Sequence, residues 1–268
     1  MKIVLSPAKA LDYTTLALDV PASLPAFPEQ TRALVDILRG YDEVALSGLM
    51  SISAALSREN VARYQRFSDT FDETNSRPAL YAFNGDVYDG LSARTLTRAE
   101  AERANELVRI LSGLYGVLRP FDLMQPYRLE MGTKLPNPAG KDLYAFWRER
   151  ITATLNEALA DDPHPVLVNL ASDEYFSAVD VKRLEHPVLK IAFEEWRDDA
   201  RSHEGGKWKV VSFNAKRARG MMTRYAIDID AKQPADLRGF DRDGYALDEA
   251  ASSDDRWVFR RRDWPPAK

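Results

Sequence analysis

Residues 142–176 read DLYAFWRERITATLNEALADDPHPVLVNLASDEYF, and this stretch decides the fold. Leu143, Phe146, Trp147 and Leu155 supply the apolar face of a helix over 142–160. The apolar run 166–170 that follows reads as a buried strand, and a helical pattern resumes near Asp173. Helix, buried strand and helix in succession are the repeating unit of an α/β sheet.

The same alternation extends in both directions. Upstream, Ile3, Val4 and Leu5 form a short buried strand that ends in a Ser6–Pro7 turn and leaves Ser6, Lys9 and Asp12 near its C-terminal edge. Pro21, Pro25 and Pro28 mark a surface connection into helices at 31–38, 42–50 and 53–67, with Asp42 as a cap. An apolar run at 79–83 reads as a strand entering NGDVYDGL, whose Asn84–Gly85 turn signal would project Asp86 and Tyr88 from a loop. Thr97 and Glu100 form a capping box for a helix to about residue 110. The segment 114–118 leads to Arg119–Pro120 and a long irregular stretch ending at Gly140. Downstream, strands are expected at 188–193 and 208–213, a helix from 215 and a terminal hairpin over 245–259. The expectation is one α/β domain over 1–268, a mixed sheet flanked by helices, without repeats or heptads.

A chain of 268 residues with 45% hydrophobic and 29% charged residues is ordinary globular material. It has no cysteine, which excludes disulfides, thiol nucleophiles, iron–sulfur clusters and cysteine-bound zinc. His164, His186 and His203 are scattered, so no metal is expected and a Ser-His-Asp triad is disfavoured; no cofactor signature such as GxGxxG or Walker A appears. No segment reads as a signal peptide or membrane span, so a cytoplasmic protein is expected. The net charge of −4 gives no global attraction to nucleic acid, and any such binding must use a local basic patch.

Five polar stretches exceed what packing requires: 6–12, 83–91, 111–132, 169–176 and 212–220. The loop at 111–132 and just beyond carries Tyr115, Arg119, Asp122, Tyr127, Arg128, Glu130 and Lys134. Its plain structural reading is that Arg119–Asp122 and Arg128–Glu130 are ion pairs pinning the loop. In 169–176, Ser172 or Asp173 would cap the following helix, while Asn169 and Ser6 would both lie outside the carboxyl ends of strands, where open α/β sheets hold ligands. From 205 to 227 there are six cations, including Lys216, Arg217 and Arg219, and no acidic residue. Such a strip fits phosphate recognition, against the alternative of a solvated helix face.

SPAKALD, FNGDVYDGL, LSGLYGVLRPFDLMQPYRLEMG, NLASDEYF and SFNAKRARG, in this order from Ser6 to Gly220, together with GYALDE near Gly244, resemble the YaaA family of peroxide-stress proteins. The resemblance implies a single α/β domain of the cantaloupe-type fold with a helix-hairpin-helix-like element and a positively charged cleft. It also implies a cytosolic DNA-binding protein of the hydrogen peroxide and oxidative stress response that limits iron-driven damage, with no established reaction. On the matching motifs it places Lys9, Arg119, Arg128, Lys134, Lys216, Arg217 and Arg219 at the nucleic acid, with Ser6, Asp12, Asp86, Tyr127, Asn169 and Ser172 as a polar cleft. For the hairpin element, Gly40 alone supports a phosphate-holding turn, and the residues themselves read as an ordinary helical hairpin in preference to it.

Two functions follow. The first is DNA binding through a local basic cleft with low sequence specificity. The alternative is an enzyme acting on a nucleotide or nucleobase, with Lys9, Glu174, Tyr115 and Glu130 as candidate catalytic residues. Direct iron sequestration ranks last, because the helix-borne Glu-x-x-His spacing is missing.

Overall fold

The computed structural model describes residues 1–15, 17–198 and 205–262. In chain order, β1 (Lys2–Leu5) and β2 (Ala10–Leu11) precede α1 (Pro28–Arg39), α2 (Glu43–Met50) and α3 (Ala54–Arg66). Then come β3 (Arg77–Pro78), α4 (Ala79–Ala82), β4 (Phe83–Asn84), α5 (Asp86–Leu91) and α6 (Arg98–Leu107). The middle of the chain forms β5 (Val108–Ser112), β6 (Gly116–Leu118), β7 (Leu123–Met124), α7 (Leu143–Ala160), β8 (Leu167–Asn169) and α8 (Asp173–Phe176). Last are β9 (Val188–Asp198), β10 (Gly206–Lys209), α9 (Ser212–Asp228), β11 (Ala246–Leu247) and β12 (Arg256–Arg261).

Ile3, Val4 and Leu5 are fully buried because β1 lies inside the sheet. The main order is β11-β12-β9-β8-β1-β5-β6. β12, β9, β8, β1 and β5 run parallel, and β6 and β11 close the edges antiparallel. The sheet is therefore mixed and mostly parallel, as its alternation with helices predicts. β12 and β10 both pair with β9 at Glu195 and must lie on opposite sides of it. β10 therefore takes up β9 beyond the point where β8 ends.

Asp142 caps α7 through the Ala145 amide at 2.9 Å, and Thr97 with Glu100 forms the full capping box of α6. That helix stops at Leu107 rather than near 110, because residues 108–110 pair with β1, Val108 opposite Ile3. Tertiary pairing overrides helical continuation there. Residues 79–83 also depart from expectation: Ala79–Ala82 is one helical turn and only Phe83–Asn84 is strand. A short apolar run has no period that tells the two apart. Asp86 and Tyr88 do not project from a loop either; both lie in α5, with Tyr88 buried against Phe83, ring centroids 5.3 Å apart. The strand expected at 208–213 ends at Lys209, so Ser212 and Asn214 belong to the first turn of α9.

The helix-hairpin-helix reading finds no support between α1 and α2. The Asp42 carboxylate already accepts the Ala45 amide at 2.8 Å, where a phosphate would have to sit. Arg39 is engaged by Asp36 and the Tyr64 and Phe67 carbonyls. An ordinary helical hairpin describes the element.

Two close backbone approaches place the remaining pieces. A Cβ on Gly220 would overlap the Val87 carbonyl, and one on Gly90 the Arg217 carbonyl, so α5 and α9 cross backbone to backbone. A Cβ on Gly113 would overlap the Leu129 carbonyl, so the 119–140 loop lies directly on the β5–β6 turn. Among the described residues no helix is long and apolar enough to cross a membrane.

Candidate functional site

The parallel strands β1, β5 and β8 end at Leu5, Ser112 and Asn169, and the polar residues gather beyond that edge. The Ser6 hydroxyl accepts the Ser172 amide at 2.8 Å and donates to the Ser172 hydroxyl at 3.2 Å. Ser172 thus stands at the start of α8 without capping it, since its side chain makes no cap hydrogen bond. Asn169 accepts the Ala171 amide at 2.9 Å, and Tyr88 donates to the Ser6 carbonyl at 3.2 Å.

The 128–134 part of the loop closes over these groups. Glu130 holds Lys9 at 2.7 Å and Arg128 at 3.2 Å. Lys9 is 62% exposed in its side chain, whereas Arg128 is 16% exposed and its buried Nε has no hydrogen-bond partner. Glu174 accepts the Gly132 amide at 3.0 Å, which latches α8 to the loop, and Tyr144 on α7 donates to the Glu174 carbonyl at 2.9 Å. Lys134 follows on the same loop, exposed.

From the other side, the crossing of α5 and α9 brings Arg219 to Asp173. Burial draws the Arg219 guanidinium below its ordinary value, and Asp173 opposes that shift. Arginine stays charged regardless. Lys216 lies one turn earlier, exposed. Val211, which precedes α9, gives no side-chain cap to its first-turn amides.

Beneath the edge lies a tyrosine floor. Tyr127 shares a hydrogen with Ser112 at 2.7 Å, and burial pushes its phenol well above the ordinary value. Tyr64 donates to the Arg128 carbonyl. Tyr115 accepts the Gln125 amide at 2.9 Å, and its ring meets Tyr127 edge-on at 5.4 Å. Tyr115 is fully buried and spent on the loop backbone, so it drops out as a catalytic candidate.

The predicted residues therefore divide. Ser6, Lys9, Tyr127, Arg128, Glu130, Asn169, Ser172, Glu174 and Arg219 gather at the C-terminal edge of the sheet. Asp86 opens α5 next to them, since Gly85 approaches the Ala8 methyl group. Arg119 does not join them. It follows β6 back to the N-terminal edge, where it pairs with Asp122 at 3.1 Å and lines a cavity of about 780 Å³ with Met1, Lys2, Arg103 and Asp162. The loop-pinning reading of Arg119–Asp122 is the one the geometry fits. Asp12 turns to Arg94 at 3.0 Å and caps Thr14 and Thr15. Hydrogen bonds from Thr15 and Thr14 hold its carboxyl well below the usual range. Arg217 lies on another side of α9, facing Asp243 at 3.5 Å across a cavity that also holds Asp89, Arg224 and Arg242.

Ser112 and Tyr175 are members that sequence reading passed over. Ser112 obeys the same strand-end rule as Ser6 and Asn169, but a helix drawn through 110 hid its strand. Tyr175 is 8% exposed and reads as core in an apolar pattern. Among the described residues no three His, Asp or Glu side chains are placed to hold a metal ion; His203 lies outside them.

A mostly parallel α/β sheet carrying a mixed cationic and hydroxyl site at its carboxyl edge defines the class: an α/β protein with a polar site outside the carboxyl ends of its strands. Residues 1–251 match the family described as peroxide stress protein YaaA, and the chain belongs to that family. It is 52% identical to the UPF0246 protein of Cupriavidus pinatubonensis over 265 residues, covering 98% of this chain and 99% of that one. It is 52% identical to the UPF0246 protein of Methylibium petroleiphilum, with 98% and 99% covered, and 50% identical to that of Bordetella avium, with the same coverage.

Proposed function

We propose that this chain binds the phosphate backbone of DNA, with little sequence preference, as its part in the peroxide-stress response, and so limits iron-driven oxidative damage. The observation that carries the reading is the meeting of cations from three separate elements at one sheet edge: Lys9 after β1, Arg128 on the loop and Arg219 on α9, with exposed Lys134 and Lys216 following on the same loop and helix. They gather in a chain whose net charge is −4. Backbone contacts of this kind position a duplex without reading bases.

The test is a plot of log affinity against log salt for a mixed-sequence duplex. The expected line is steep, and Lys216→Ala flattens it by about 0.9 per lost phosphate contact. A flat line, or no binding at low salt, rejects the reading.

A second reading, an enzyme acting on a nucleotide or nucleobase, is favoured by the Lys9–Glu130–Arg128 cluster beside Ser6, Ser172 and Asn169. Phosphate holding alone needs neither the carboxylate nor the hydroxyls. Against it, Lys9 stands mostly in water, without the apolar enclosure that activates a lysine nucleophile. A change of mass in nucleosides or damaged DNA incubated with the protein, abolished by Glu130→Gln, would favour the enzyme.

A further inference from the structure

Most of α9 serves packing. Ala215, Ala218, Met221, Met222, Ala226 and Ile227 are buried, and Gly220 meets α5 backbone to backbone. Phe213, in the first turn, does not follow this pattern: its residue is 58% exposed. Among the described residues every other aromatic side chain is buried or only partly exposed. Single exposed aliphatic residues are ordinary, and Leu24 and Val44 are of that kind here. A phenylalanine held in water forfeits the stabilisation its burial would bring, so its surroundings matter.

Those surroundings are cationic and apolar together. Val210, three residues earlier, is 57% exposed. Lys209 precedes Val210, and Lys216 and Arg217 follow Phe213 at helical spacing on its own face, all three exposed. Arg217 has Asp243 at 3.5 Å; the run 205–227 itself contains no acidic residue. An open aromatic ring flanked by cations is the arrangement that holds an unstacked base on the ring and its phosphates on the lysines. Paired bases inside a duplex offer no free face to such a ring.

We propose that Phe213 is a stacking site for an unpaired nucleobase at the head of the basic strip, so that the protein prefers DNA with single-stranded or unpaired positions. This rests on the DNA-binding reading above and adds to it the structure of DNA preferred.

The test uses the full chain, with Phe213→Ala, Phe213→Trp and Lys216→Ala variants. Three fluorescent probes serve: a single-stranded oligonucleotide, a blunt duplex, and a duplex with one unpaired 2-aminopurine. Phe213→Ala is expected to weaken the single-stranded and unpaired-base probes by about fivefold to a hundredfold. It should leave the blunt duplex and the salt slope unchanged, because no charge is lost. Phe213→Trp retains the preference, and quenching of 2-aminopurine by the wild type disappears in Phe213→Ala. Equal affinity of wild type and Phe213→Ala for all three probes, or an equal loss on all three, overturns the stacking site while leaving DNA binding in place. A change of self-association in Phe213→Ala with unchanged binding overturns it too. A wild type that binds none of the probes rejects the underlying DNA-binding reading instead.

Discussion

Glu130 is the residue on which the site turns. Its carboxylate lies between Lys9 and Arg128, so two of the cations best placed for phosphate are already neutralised by a side chain of the protein. Removing that charge while keeping the shape isolates the effect. Glu130→Gln is expected to raise DNA affinity severalfold at low salt and to steepen the salt slope, since both cations become available to phosphates. Stability should fall by more than the roughly 0–1 kcal/mol of an exposed pair, because Arg128, only 16% exposed, loses its carboxylate partner along with exposed Lys9. Titration by fluorescence anisotropy at several salt concentrations, with thermal melting alongside, checks both parts. Weaker binding by Glu130→Gln would mean that the carboxylate orients the cations instead of competing for them.

At the scale of elements, the crossing of α5 and α9 is what presents α9 to the site. With Gly90 and Gly220 at the crossing, the helices touch backbone to backbone, and a methyl group at either position has nowhere to go. Gly220→Ala should therefore destabilise the fold by about 1–3 kcal/mol through overpacking, although alanine is the better helix former. At this chain length each kcal/mol lowers Tm by roughly 2–4 °C. Calorimetry measures it; an unchanged or higher Tm would show that the helices separate freely and that the crossing does not fix Arg219 beside Asp173. Gly48 on α2, where an added methyl group would meet nothing within 4 Å, is the internal control and should gain stability as alanine.

At the scale of the whole molecule, buried phenols make stability fall in alkali. Burial raises the phenols of Tyr13, Tyr64, Tyr88, Tyr115, Tyr127 and Tyr175 above their ordinary value. In the unfolded chain these groups lose their protons near pH 10, about the free tyrosine value. Above that pH the folded protein binds more protons than the unfolded one, so stability falls as pH rises. The contribution is complete below pH ~10 and is lost progressively above it. Phenolate absorbance should accordingly rise for these six together with loss of circular dichroism, in one cooperative step. Smooth ionisation with the native spectrum intact would mean that the tyrosine floor admits water. The same floor lies under Ser6, Ser112 and Arg128, so the step also reports the integrity of the candidate site.

By itself the sequence determined what short-range chemistry controls. The helix over 142–160 and its follow-on strand, the buried first strand, the capping box at Thr97 and Glu100 and the terminal hairpin are written in spacing, capping and apolar runs of a few residues. The basic character of 205–227 is equally local, since it needs only the absence of acids. The tertiary structure alone decided which polar stretches meet. Ser6 and Ser172 touch across 166 positions of chain. Arg119 and Arg128, nine residues apart in one motif, go to opposite edges of the sheet because β6 runs back against β5 before the loop returns over Gly113. Tyr88 and Tyr115 look alike in sequence to exposed loop residues, and it is burial that removes them from the surface. Periodicity reports how a segment is shaped by its neighbours in the chain. Register between strands and the closeness of two glycines report neighbours in space, and no local pattern carries that information.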